Sequence, residues 1–162
     1  MLDSFILFAS VNKPIGVVIA DEPVWKNMPI INKWTSLINC VYINRQNNRE
    51  GIKSISKAAE NIISGQSMAI FPEGTRVKEG EKREIKSGVA MIAEKTKAPV
   101  VPIAIKGKYG FLRKIEIFVG EPIYVRSEDG SKLSHDEIYE FSRQIMVGVL
   151  RMAGENVEGL SC

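Results

Sequence analysis

Apolar positions along this chain recur in two alternating rhythms, one helical and one extended. Residues 3–10 are apolar over one to two turns and stop at Val11-Asn12-Lys13-Pro14, which predicts a short helix. Residues 16–20 are a β-branched run bounded by turn formers and predict a buried strand. Residues 21–29 predict irregular chain or a short helix. Ile30, Ile31, Trp34, Leu37 and Ile38 then fall at helical spacing, so 30–39 reads as a helix. A second strand follows at 41–43. Residues 51–64 place Ile52, Ile55, Ala58, Ala59 and Ile62 on one helical face, with Gly65 as the C-cap. A third strand, 67–71, is cut off by Pro72. Beyond it the pattern predicts a helix over 86–97, a strand over 99–105 and an edge strand over 115–119, with 122–125 extending the sheet. A long amphipathic helix over 134–152 closes the pattern, opened by a capping box of Ser134 and Glu137.

Strand–helix–strand order argues an α/β fold: a single domain, 1–162, with a mixed, mostly parallel sheet flanked by helices on both faces. A chain of 162 residues with 44% hydrophobic content can bury one such core. The net charge of +3 is compatible with an anionic ligand or an anionic membrane surface and requires neither. Basic residues form no long run and are not interleaved with aromatics, so no nucleic-acid partner is expected. Cys40 and Cys162 suggest neither a disulfide framework nor a metal site, and a reducing, cytoplasmic setting is the default. The opening ten residues lack the basic start and small-residue cleavage site of a signal peptide. No apolar stretch approaches the roughly 20 residues that cross a bilayer.

The candidate chemistry sits where the third strand stops, in Phe71-Pro72-Glu73-Gly74-Thr75-Arg76. Open α/β sheets bind ligands at the carboxyl ends of their strands. Proline ends the ladder here, Gly74 allows a tight turn, and Thr75 and Arg76 supply donors. Arginine offers a permanently charged planar fork suited to phosphate, and Glu73 either holds Arg76 or meets a ligand hydroxyl. A solvated turn is the plainer reading of the same residues. Nucleotide-binding glycine loops and the Gly-x-Ser-x-Gly elbow of serine hydrolases are absent from the sequence.

Pro72-Glu73-Gly74-Thr75-Arg76 after an apolar strand resembles the third signature block of the glycerolipid acyltransferase family, which includes the bacterial lysophosphatidic acid acyltransferases. Three further segments resemble that family in order: Val41-Tyr42-Ile43-Asn44-Arg45, Lys86-Ser87-Gly88, and the proline-containing strand Val100-Val101-Pro102-Ile103-Ala104-Ile105. The family's first block is a histidine, four residues and an aspartate. Asp3 matches its aspartate, and the matching histidine would precede Met1. The resemblance therefore implies an N-terminally truncated member, a fragment without its general base or membrane-anchoring segments. A natural relative that has lost its base, binding lipid or phosphate without catalysis, is the alternative. The lone His135, at a polar helix start, is not nominated as a substitute.

The resemblance implies transfer of a fatty acyl group from acyl-CoA or acyl carrier protein to the free hydroxyl of lysophosphatidic acid, giving phosphatidic acid for phospholipid synthesis. Neither a metal nor a cofactor is implied; the acyl thioester is a co-substrate. Asp3 would support the missing histidine. Arg45 and Arg76 would grip the acceptor phosphate, and Glu73, Gly74 and Thr75 would shape the same pocket. Lys86 either adds positive potential there or is an ordinary surface lysine. Work on lipids implies a membrane surface at its cytoplasmic face. The stretch around Trp25, Met28 and Ile30, with Lys13, Lys26 and Lys33, either rests on that surface or packs on the core.

Overall fold

The structure, a computed structural model, describes residues 6–7, 9–11, 15–20, 33, 37, 39–43, 47–72, 83–107, 114–127, 129–155, 157 and 160–161. Contacts group the chain into two compact units, Met1–Phe71 and Pro72–Cys162. The α/β class expected from the sequence is the one observed.

The N-terminal unit is a parallel three-stranded sheet. Strand β1 (Ile15–Ala20) lies in the middle, with β2 (Val41–Ile43) on one side and β3 (Ser67–Ile70) on the other. Val18 is opposite Val41 in one pairing and Ile70 in the other. Between β2 and β3 runs helix α1 (Asn48–Ile63), which packs against both. Parallel strands need such a crossover; Val17, Val18 and Val41 of the sheet and Ala58 and Ala59 of the helix are all buried. Ser54 Oγ, 2.7 Å from Tyr42 O, ties the first turns of α1 to β2. Ahead of β1, residues 6, 7, 9 and 10 are helical, as expected, and Ser10 Oγ donates to Ile6 O at 2.7 Å. Residues 33 and 37 of the expected 30–39 helix are helical, and Asn39 is already a turn residue with φ of 49°; the rest of that segment and all of 21–29 lie outside the described residues.

Helix α1 begins three residues before its expected start. Asn47 is the reason: its Oδ1 accepts from the N–H groups of Arg49 (3.1 Å) and Glu50 (3.4 Å), capping the first turn. The apolar face is also narrower than expected, because Ile52 is 62% exposed. Strand β1 is crowded at Gly16, where an added Cβ would lie 2.5 Å from Met68 Sδ of β3 and 3.1 Å from Asn39 O, just ahead of β2. Cys40, just before β2, is half-buried; burial pushes its thiol pKa up, opposed by a hydrogen bond with the Val17 backbone.

The C-terminal unit holds β4 (Arg83–Glu84), α2 (Gly88–Thr96), β5 (Ile103–Gly107), β6 (Ile115–Val119), α3 (His135–Ala153) and β7 (Leu160–Ser161). Strands β5 and β6 form an antiparallel pair, and β4 and β7 a short parallel one. Helix α3 packs against β5 and α2. Its core joins Ala90 and Ala93 of α2 to Ile138 and Ile145 of α3 through Val125 and Leu133, with Met146 fully buried nearby in α3. The expected capping box is present: Glu137 N–H donates to Ser134 Oγ (3.3 Å) and Ser134 N–H to Glu137 Oε2 (2.8 Å). The Ser134 N–H, and then the Ser134 hydroxyl donating to the same oxygen at 2.7 Å, lower the pKa of the Glu137 carboxyl. Leu133 N–H donates to Glu94 Oε1 (3.3 Å), fastening the approach to α3 onto α2.

Three elements of this unit differ from expectation. The strand expected at 99–105 is split: Val100 makes an isolated bridge to Ile123, and the continuous ladder starts at Ile103. Pro102 lies between them without an N–H to donate, while its carbonyl accepts from Gly120 at 2.9 Å. The 122–125 extension is therefore the single bridge at Ile123. Helix α2 starts at Gly88, two residues after Lys86, and ends where Lys97 takes a left-handed conformation with φ of 57°. Strands β4 and β7 were not expected at all.

Candidate functional site

The three strands of the N-terminal unit are mutually parallel, so β2 and β3 end at the same edge of the sheet. One strand separates them, which puts the two exits about 10 Å apart across the sheet. Since Ile70 is level with Val41 across Val18, β2 runs two residues further. Arg45 follows the end of β2 by two residues and Glu73 the end of β3 by three. The two arginine-bearing segments thus leave from one carboxyl edge, the usual ligand side of an open α/β sheet. Beyond β3 the described chain continues only to Phe71, which is exposed, and Pro72, a half-buried turn residue.

Asp3, Arg45, Glu73, Gly74, Thr75 and Arg76 lie outside the described residues. The described candidate is Lys86. It is exposed, between buried Ile85 and the start of α2, and its ammonium forms an ion pair with Glu84 of β4. Sequence reasoning missed Glu84. The signal was there: in an extended chain, residues two apart share a face, which brings Glu84 and Lys86 together. Ser87, the N-cap of α2, makes no side-chain cap bond, and its Oγ donates instead toward Met91 Sδ at 3.7 Å. The N-terminal peptide dipoles of α2 add partial positive charge beside Lys86.

His135 is the first residue of α3 and is exposed. Among the described residues, no group of three or more histidine, cysteine, aspartate or glutamate side chains could hold a metal ion. Among them, too, no helix is long and apolar enough to cross a membrane.

A parallel β-α-β sheet whose two outer strands end at one edge is an α/β arrangement of the kind that takes ligands at that edge. Residues 1–106 match the Acyltransferase family model, and the chain belongs to that family. It is 38% identical over 80 residues to a probable 1-acyl-sn-glycerol-3-phosphate acyltransferase of Mycoplasma pneumoniae, covering 49% of this chain and 30% of that one. To the 1-acyl-sn-glycerol-3-phosphate acyltransferase of Cocos nucifera it is 31% identical over 115 residues, 70% of this chain and 37% of the other. The fold is similar to that of the 1-acyl-sn-glycerophosphate acyltransferase PlsC from Thermotoga maritima. There the TM-score is 0.58 at 22% identity, over 84% of this chain and 56% of that one. The matches thus span between 30% and 56% of these three proteins' lengths.

Proposed function

We propose that this chain supplies the acceptor-binding part of an enzyme that transfers a fatty acyl group to lysophosphatidic acid. What supports the reading most is the common carboxyl edge of β2 and β3, from which the Arg45 and Glu73–Arg76 segments follow, within a family match that contains both. The names of the similar proteins favour the same acceptor.

In this reading Arg45 and Arg76 hold the acceptor phosphate, each charge-assisted bond contributing about 1.5–3 kcal/mol. Glu73, Gly74 and Thr75 shape the pocket, and Lys86 adds positive charge. The acceptor hydroxyl attacks the carbonyl carbon of an acyl thioester, on coenzyme A or acyl carrier protein. A base removes the hydroxyl proton as the ester bond forms, and the thiol leaves with a proton. Asp3 orients that base, a histidine five residues before it in the family pattern, and supports its positive charge. Both acceptor and product are lipids, which favours a reaction at a membrane surface, in this reading the cytoplasmic face.

Residues 1–162 alone should show little or no acyl transfer. Turnover by that chain that disappears with Asp3→Ala would overturn the assignment of the base. In a chain extended upstream through the histidine, Arg76→Ala should raise the KM for lysophosphatidic acid by roughly 10- to 100-fold, with the donor KM little changed. An unaltered acceptor KM would remove Arg76 from the site.

A further inference from the structure

The short pairing of β4 with β7 has no obvious place in the core. Two residues on each side make little hydrophobic surface, and among the described residues neither strand pairs with anything but the other. Its position is what gives it meaning. Arg83 pairs with Leu160 and Glu84 with Ser161. Ile85, the next residue, is buried, and Lys86 follows at once with its ammonium on Glu84. The backbone carrying Lys86 is therefore fastened twice just upstream, once by main-chain bonds to β7 and once by a buried side chain. Downstream, α2 begins two residues later and is held by Ala90, Ile92 and Ala93. A lysine that only solubilised a surface would need no such fixing, since the side chain has four rotatable bonds of its own.

We infer that β7 is a positioning element for Lys86: its pairing with β4 sets where the Lys86 ammonium meets the acceptor phosphate. This rests on the proposed role of Lys86 in phosphate binding and adds to it a requirement for Leu160 and Ser161, which belong to no recognised motif. The side chains at 160 and 161 matter little. What counts is their capacity to pair as a strand, so proline, which removes a donor from the ladder, should break the effect where alanine does not.

The test uses the 162-residue chain and sn-glycerol 3-phosphate as the probe, with affinity measured by calorimetry. Lys86→Ala should weaken binding roughly 3- to 10-fold, as expected for one exposed cation on a phosphate. Leu160→Pro/Ser161→Pro should weaken it by the same factor and speed hydrogen exchange at the Arg83 and Glu84 amides, leaving the melting of α3 in place. Ser161→Ala should bind normally, and Ser161→Gly, a gentler loosening of the strand, should fall between. The decisive reading is the combination: Lys86→Ala added to the double proline variant should cost nothing more, because both remove one interaction. Additive losses would overturn the inference, as would unchanged affinity in the double proline variant when Lys86→Ala binds more weakly. Unchanged affinity in Lys86→Ala alongside a loss in Arg76→Ala would overturn the role of Lys86 and this inference with it, leaving the phosphate site standing. No loss in either would overturn the proposed function itself.

Discussion

Lys86 and Glu84 face each other across one intervening residue, and their opposite charges are paired. The pair is exposed, 46% for the lysine side chain and 59% for the glutamate, so water screens it and little stability depends on it. Its effect falls instead on any anion approaching Lys86, which meets a lysine already partly neutralised. Glu84→Gln should therefore raise affinity for sn-glycerol 3-phosphate, by up to about 5-fold at low ionic strength. The gain should fade as salt is added, since exposed charges are screened over about 10 Å at 0.1 M. Titration calorimetry at two salt concentrations checks both the sign and the fading.

Gly16→Ala should destabilise the N-terminal unit. The new methyl would lie 2.5 Å from Met68 Sδ and 3.1 Å from the Asn39 carbonyl, so the Met68 side chain has to move and the Asn39 backbone has to give by a few tenths of an ångström. Overpacking of this kind costs about 1–3 kcal/mol. Urea unfolding followed by circular dichroism should show a lower midpoint, partly restored by Met68→Ala. A wild-type midpoint in Gly16→Ala would show that the sheet yields at no cost.

Met146→Ala should cost about 2–5 kcal/mol, the usual range for truncating a fully buried methionine. The neighbouring Val147, only half-buried, should cost clearly less on truncation to alanine. Thermal unfolding of the two variants side by side gives the contrast. Equal losses would contradict the packing of α3.

Asp129 gives the pH prediction. The Ser127 hydroxyl, then the Ser131 N–H at 2.9 Å, hold its carboxylate, lowering its pKa from 3.8 to about 2. A carboxyl lowered on folding adds stability that is complete above its unfolded value and is lost as pH falls. Its contribution should thus fade between pH 3.8 and about 2. Carbon-13 titration of the carboxyl should find the low midpoint, and Ser127→Ala should move it upward. A midpoint that ignores Ser127 would disprove the contact.

Strongly periodic elements were legible because one physical cause dominates each. β6 was expected at its observed bounds, since alternation alone defines an exposed edge strand. Ser134 and Glu137 announced the start of α3, where local bonding decides the boundary. The start of α1 was hidden in a polar stretch: Asn47 caps a first turn with no apolar residue to mark it. Ile52 was assigned to the buried face on spacing, but it sits at the N-terminal end of the helix and remains exposed. β4 and β7 left no trace in the pattern, because a two-residue pair has no period and its partner is remote in sequence. Of the site, sequence supplied the motif residues and their order; the parallel register that brings two strand ends to one edge is a tertiary fact.

The central place of β1 also sets the order in which the chain becomes safe during its own synthesis. Among the described strands β1 emerges first, yet its second edge is filled only when β3 has been made, after all of α1. Until Ile70 leaves the ribosome, the apolar run Ile-Gly-Val-Val-Ile-Ala presents an unpaired row of backbone groups to any strand nearby. At the pace of translation, 5–20 residues per second, that exposure lasts for seconds. A nascent chain halted between β2 and β3 should therefore be the form that aggregates or recruits chaperones, and one allowed to pass Ile70 should escape both.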